Sequence, residues 1–385
     1  MKAQTVGLGK NAQMVLDAIY RRPTHGIPFK CFHTMDHAQI ERFAGAEPGE
    51  YRRDPIRVYM ACQYAVGACS IDQFMPENPL SMGSQGYEKK ERGATTGADK
   101  IVRDGIEIDS PEAVAEHLEK IVFPGLEKKI AEYVPGDPTE VEKLIAGERQ
   151  IQDFFGPNLL KIPYGGGFQR FPTLRYGTYG YANYFMAYAL YPELMEKDFK
   201  LQADWAEKRN VTAARAYLQG NLPPLLRLDH DMADSRGTLV DIRSLDRIWF
   251  PHFIRSIRPY LDAGIRLIWH CDGNLMEMVP RLLDVGLSGF QGFQYEDGMD
   301  YLKICAMKTH EGESLIIQAG VSVTRTLPFG TPDDVRQEMK WLVDNGPRTG
   351  LFIGASSSIA PGVPAANLDA YVAGLRHYRD HGRNS

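Results

Sequence analysis

Leu267-Ile268-Trp269-His270-Cys271-Asp272-Gly273-Asn274 is the stretch on which the fold turns. It opens as a short apolar run of the buried-strand type, then breaks into an imidazole, a thiol and a carboxylate. Gly273-Asn274 closes it with a turn signal. Side chains alternate faces along a strand. A strand that persists through the polar residues aims His270 and Asp272 one way and Cys271 the other, so Cys271 is expected as a packed thiol. Polar groups at the carboxyl end of a parallel strand, under a flexible turn, are where α/β barrels place their chemistry. His270 and Asp272 are therefore read as the centre of an active site. The alternative reading is a pair that only hydrogen-bonds the loop that follows.

Outward from this stretch, short apolar strands alternate with helices. Leu225 to Leu228 is a strand ending in Asp229-His230-Asp231, and Gly289 to Phe293 is one ending in Gln294-Tyr295-Glu296-Asp297-Gly298. Ser314 to Gln318 opens into Ala319-Gly320-Val321, and Leu351 to Ile353 is the last strand. Helices are expected over Leu245 to Ala263, Leu275 to Val285, Asp300 to Lys308, Thr331 to Asp344 and Asn367 to His377. Upstream, helices cover Asn11 to Arg21, Pro55 to Cys69, Pro138 to Arg149 and Glu193 to Ala216. Ser110 and Pro111 start another, as cap and first helical residue. Ile27 to Phe32 reads as the first strand, running into His33, Asp36 and His37. Leu159 to Pro163 is another, running into Gly165-Gly166-Gly167, which lacks any phosphate-binding pattern and suits a flexible loop. This alternation argues for parallel βαβ units. Polar tips on strand after strand suit a closed barrel with one mouth better than an open sheet with one switch point. Gly83 to Ile108, charged and rich in Gly and Thr, suits an exposed hairpin.

Composition excludes several classes. The 385 residues carry a net charge of −5 with no basic block, so nucleic acid is not an expected partner. No run approaches the roughly 18 apolar residues that span a bilayer, and Met1 to Lys10 lacks a secretory apolar core. Cys31, Cys62, Cys69, Cys271 and Cys305 are scattered, odd in number and without CxxC, which fits reduced cytoplasm better than a disulfide framework. Tyr181, Tyr184, Phe185 and Tyr188 recur at helical spacing and read as core, while Tyr176 and Tyr179 are candidates to line a cavity for an aromatic ligand.

Leu228-Asp229-His230-Asp231 through Arg236-Gly237, then His270-Cys271-Asp272-Gly273-Asn274, stand in a recognisable order. Glu296-Asp297-Gly298-Met299-Asp300, Gly330-Thr331-Pro332-Asp333-Asp334-Val335 and the run from Ser356 to Asn367 follow them. Together, over about residues 150 to 380, they resemble the uroporphyrinogen decarboxylase superfamily. The resemblance implies an α/β fold, a TIM-type (β/α)8 barrel with its site at the strand C-termini. On that reading residues 1–385 form a single barrel domain, with an N-terminal helical extension (1–25) and an inserted hairpin (83–108).

True uroporphyrinogen decarboxylases carry an arginine-rich RQAGRY-like loop for porphyrin propionates. Here Phe29-Lys30-Cys31-Phe32-His33-Thr34-Met35-Asp36-His37 stands in its place, and several carboxylates without that clamp would be left unpaired. Relatives of methylcobamide:coenzyme M methyltransferases bind zinc through a His-x-Cys pair and a late Cys. His270 matches the His, but Asp272 and Ser357 stand where the two thiolates would be, which moves the site towards oxygen ligands. The branch left is one with His-x-Asp-Gly-Asn and a Ser-rich last strand, similar to the O-demethylase components of corrinoid-dependent methyltransferase systems.

This resemblance implies methyl transfer from a methoxylated, aromatic substrate to the Co(I) of a corrinoid held by a partner protein. Co(I) is a strong nucleophile, so the difficult group is the leaving oxygen, which needs a metal or a proton donor. His270, Asp272, Glu296 and Asp229 are the expected catalytic residues, with His270 and Asp272 as ligands should zinc bind. His230, Asp231, Gln294, Tyr179 and His33 are the expected substrate contacts. The expected partners are the corrinoid protein and the small methoxylated substrate, with neither nucleic acid nor membrane, and a homodimer is left open. Two other readings stay open, a porphyrin(ogen) decarboxylase-like enzyme and a non-catalytic barrel that binds a small ligand.

Overall fold

Parallel pairing links the apolar runs into one continuous order in a computed structural model that describes residues 7–81 and 101–383. Leu225–Asp229 pairs with Arg266–His270, which pairs with Gly289–Gln291. Ile316–Val321 and Leu351–Ala355 follow, and Ile353 bridges to Phe29. Lys30 then bridges to Ser70, and Ser70–Ile71 pairs with Leu160–Lys161. These eight segments all run parallel, the arrangement a TIM-type barrel requires, and the fold is compatible with one. Among the described residues no ladder joins Leu160–Lys161 to Leu225–Asp229; side chains span that junction instead. Tyr164 donates from its hydroxyl to Asp229 at 2.9 Å, and the Arg227 guanidinium lies 4.5 Å over the Tyr164 ring.

Alternation decides which residues face which layer. Trp269 points outward into helix Phe250–Asp262 and its surroundings, 5.6 Å from Phe253 and 5.3 Å from Phe171 between ring centres. Its neighbour His270 turns the other way, into the cavity at the strand ends. The residues around Trp249 form two helices, Ile242–Ile248 and Phe250–Asp262, rather than one. Pro251 lacks the N–H a continuous helix would need, and the buried Trp249 instead donates its indole N–H to the Pro172 carbonyl at 2.9 Å. Pro280 likewise confines the next helix to Val279–Asp284. The predicted starts at Ser110-Pro111 and Thr331-Pro332 are in place, the second as a reciprocal capping box with Asp334. Ile27 to Phe32 supplies only the bridges at Phe29 and Lys30, whereas Ile316–Val321 runs on through the predicted opening.

Tyr184 and Tyr188 are buried on helix Tyr181–Leu190, while Tyr181 is exposed. Helix Lys10–Ile19 buries Ala12, Met14, Val15, Ala18 and Ile19. Val102–Arg103 and Ile106–Glu107 form an antiparallel hairpin, and residues 83–100 of the predicted insertion lie outside the described ones. Among the described residues no helix is long and apolar enough to cross a membrane. All five cysteines are free.

An ion network occupies the interior at the strand ends. Asp72 is almost fully buried between Lys30 Nζ, 2.9 Å from Oδ1, and Arg227 Nε, 2.8 Å from Oδ2. Burial alone would raise its pKa, but the charges of Arg227 and Lys30 overcome this and hold it well below the ordinary carboxylate value. Removing one member of such a set strands the others without solvent. Asp72→Ala is expected to lower stability by about 3–5 kcal/mol at neutral pH, read from the urea midpoint. Because the folded pKa is depressed, this stabilisation is present above the unfolded value of roughly 4 and is lost as pH falls towards the folded one. The variant should therefore show a shallower loss of stability on acidification than the wild type.

Candidate active site

Two adjacent parallel strands bring the central groups together. Asp229 pairs in register with His270, so the polar tips that follow, Asp231 and Asp272, emerge side by side. One donor atom each from Asp231, His270 and Asp272 lies within 4.8 Å of the others, a set able to hold a metal ion. His270 Nε2 is 3.9 Å from Asp272 Oδ1. His270 Nδ1 is 3.2 Å from the Gln291 carbonyl oxygen, which can only accept. In the neutral tautomer the proton therefore sits on Nδ1, which leaves Nε2, the nitrogen on the carboxylate side, free to take a metal ion.

Each carboxylate is held in turn. Asp272 accepts from Ser357 Oγ at 3.1 Å on Oδ2 and from Gln294 Nε2 at 3.3 Å on Oδ1. Gln294 also accepts the Gly273 amide at 2.6 Å, and Asp231 accepts the Asp272 amide at 2.9 Å. Burial raises the Asp231 pKa, and the negative charge of Asp272 raises it further. Gly273 has φ +91°, and a Cβ there would meet the Asp234 backbone at 2.7 Å, so this tight approach requires glycine. Cys271 faces away, buried, and takes the Met232 amide on its sulfur at 3.3 Å; burial pushes the thiol pKa well up.

The cluster opens on a cavity of about 170 Å³ lined by His270 and Ser357 together with Lys30, His33, Arg227 and Asp229. Gln73, Gln291 and Gln318 add three amides to the wall, and Phe352 contributes a phenyl ring. His33 is thus a cavity residue, driven down to a pKa of about 4 by burial and by the charges of Lys30 and Arg227. Asp229 also lines it, but Arg227 and Tyr164 both engage its carboxylate. Burial works against that carboxylate's charge, yet Arg227 and His270 hold its pKa below the ordinary value.

The other predicted residues lie in different settings. His230 Nε2 accepts the Leu174 amide at 2.9 Å, its ring stacks on Tyr176 at 5.5 Å, and burial takes its pKa down to about 4. Tyr179 is buried against His117, with its hydroxyl 2.8 Å from Nδ1, and is not part of the cavity wall. Glu296 lies outside the three-residue cluster; its Oε1 accepts from the Ser322 hydroxyl and, at 2.6 Å, from Thr324. The Ser322 amide donates at 2.7 Å to Glu338, whose pKa burial pushes up to about 7. Asp231, predicted as a substrate contact, belongs to the cluster, and Gln294 positions Asp272 rather than lining the cavity.

Sequence reasoning missed Lys30, Arg227, Gln291 and Gln318. The signal was a charge or amide inside an apolar strand, as in Leu225-Leu226-Arg227-Leu228 and Ile316-Ile317-Gln318.

The sequence matches no family model and no curated protein. Among solved structures, a methyltransferase from Methanosarcina mazei shares the fold, with a TM-score of 0.56 over 96% of this chain and 98% of that one at 15% identity. A B12-independent methionine synthase from Shewanella sp. W3-18-1 aligns over 47% of this chain and 55% of its own, with a TM-score of 0.27 and 14% identity, too low to bear on the fold.

Gly292 is the backbone element that lets His270 sit where it does. At φ +72° a Cβ would meet the Ser356 carbonyl oxygen at 2.4 Å and His270 Nδ1 at 2.8 Å. Gly292→Ala is expected to lower stability by about 1–3 kcal/mol and to displace the imidazole, checked by chemical denaturation and by the His270 ring resonances in NMR spectra.

Proposed function

We propose that this protein is a methyltransferase that moves a methyl group from a small methoxylated donor to the Co(I) of a corrinoid carried by a partner protein. The observation that carries the reading is the convergence of Asp231, His270 and Asp272 at one mouth, beside Ser357 from the last strand. The fold shared with the Methanosarcina mazei methyltransferase and the motif order in the sequence support it.

Co(I) attack needs little assistance, whereas the departing oxygen must be stabilised as its negative charge develops. The donor set fits a divalent cation: one imidazole nitrogen with its lone pair exposed, and two carboxylates whose mutual repulsion a cation would relieve. Such an ion, when bound, supplies Lewis acidity at the ether oxygen. The chain's own residues do the rest. The Gln291 carbonyl fixes the imidazole plane, while Ser357 and Gln294 hold the Asp272 carboxylate in one orientation. The Asp272 amide holds Asp231 beside them. With oxygen in both positions where thiol-activating relatives place sulfur, the site suits a leaving alkoxide or phenolate better than a thiolate. The tyrosines that suggested an aromatic donor do not line the cavity, so the donor is taken here as a methoxylated molecule without that restriction.

Zinc dialysis should load about one ion per chain, with affinity reduced at least tenfold in His270→Ala and in Asp272→Ala. With a panel of methoxylated donors and cob(I)alamin as acceptor, the wild type should form methylcobalamin. Each of these variants should be slower by about 10²–10³-fold. Failure of every donor, together with failure to bind zinc, would favour the small-ligand barrel instead.

A further inference from the structure

Helix Pro332–Asn345 reaches the central cluster through the short turn Tyr295–Asp297, which Gln294 opens. Gln294 is 7% exposed, and both ends of its amide are committed. The Gly273 backbone can offer it only an N–H, so Oε1 faces Gly273 and Nε2 is turned to Asp272 Oδ1. The seat of Gln294 therefore decides how the Asp272 carboxylate stands towards His270 and Asp231.

That seat is fixed from outside the cluster. The Asp297 amide donates to the Gln294 carbonyl at 2.8 Å and the Gly298 amide to the Tyr295 carbonyl at 3.1 Å, which ties Gln294 and Tyr295 into one unit. The Tyr295 hydroxyl donates to Glu338 Oε1 on the helix. The Tyr295 ring lies 5.4 Å from that of Trp341, three residues beyond Glu338 and on the same helical face. The Ser322 amide donates to the same Glu338 oxygen at 2.7 Å. Burial pushes the Glu338 pKa up to about 7 against the pull of that amide, and no cation offsets it. The ionisable groups around it are otherwise engaged. Glu296 is held by the Ser322 and Thr324 hydroxyls, Arg325 donates to the Glu296 carbonyl at 3.0 Å, and Asp334 closes the capping box with Thr331. Asp297 lies at the far end of the turn. A carboxylate accepts hydrogen bonds more strongly than a neutral carboxyl. Glu338 grips Tyr295 when ionised and slackens when protonated, a change that falls near neutral pH.

We propose that Glu338 is a positioning residue for the central cluster, acting through Tyr295 and Gln294 to set the stance of the Asp272 carboxylate, and holding it more firmly when ionised. This rests on the proposed function for what the cluster binds, whereas the coupling itself is separable from it.

Amide NMR spectra of the metal-free protein test the coupling, with Ser322 reporting on Glu338 and Gly273 on Gln294. In the wild type both amides should shift in a common step with its midpoint close to 7. Glu338→Gln should remove that step from Gly273, and Tyr295→Phe should remove it from Gly273 while keeping it at Ser322. The positioning role is overturned if Gly273 shows no such step, if the step survives in Glu338→Gln, or if Tyr295→Phe leaves it whole. A Glu338 that only supports the fold would change the melting temperature and give Gly273 no step. Should one variant fail to fold by thermal melting, the other decides. Zinc titration carries the coupling to the site: from about pH 8 to about pH 6 the wild type should lose about tenfold more affinity than Glu338→Gln. Equal losses would overturn the bearing of Glu338 on the cluster. Failure of both proteins to bind zinc would overturn the metal reading, and the NMR result alone would then judge the positioning.

Discussion

A guanidinium with almost no access to water has to be enclosed by acceptors, and Arg227 sets that condition for the strand ends around it. Its three nitrogens reach Asp72, Asp229 and Gln73, and its flat face lies on Tyr164. These partners come from the chain after Ser70–Ile71, after Leu160–Lys161 and at the end of the Leu225–Asp229 strand itself. One side chain thus ties together the part of the sheet where ladder pairing is missing among the described residues. Asp229 is positioned in the process, and through its register with His270 so is the carboxyl end of the neighbouring strand.

From that anchor the mouth divides by chemistry. Asp231 and Asp272 crowd two carboxyl groups against an imidazole, and every other contact they make serves to hold them there. Tyr176 supports the same edge, stacking on His230 and donating from its hydroxyl to the Asp231 carbonyl at 2.9 Å. Such pre-orientation lowers the reorganisation needed when charge develops on a ligand. Beyond it, Glu296 from the turn after Gly289–Gln291 and Glu338 from helix Pro332–Asn345 converge on Ser322, an acid pair that the central cluster does not include.

Much of the architecture was legible because its signals are local. Apolar runs with polar tips gave the strands, and Ser110-Pro111 and Thr331-Pro332 marked helix starts that the caps reproduce. His270 and Asp272 were legible as a pair, although the strand ends at His270 and the turn through Gly273 brings the carboxylate round. What could not be read was set by partners far apart in sequence. Nothing near Asp231 announces that Asp272 will face it, and Lys30, Asp72 and Arg227 meet only through strand order. Tyr179 looked available because its spacing says nothing of His117, the group that takes its hydroxyl. The break at Trp249 followed from Pro251 and from a long-range indole contact, of which only the proline is visible in the local sequence.

The cluster of Asp231, His270 and Asp272, with Ser357 against it, offers a ligand only nitrogen and oxygen atoms. The triad contains no sulfur, and the neighbouring Cys271 is packed away with its thiol kept protonated by burial. Peroxide, disulfide reagents and mercurials act through thiolates, so none finds a target in this cluster. A centre built this way keeps its donor atoms unchanged under oxidants that would consume a thiolate.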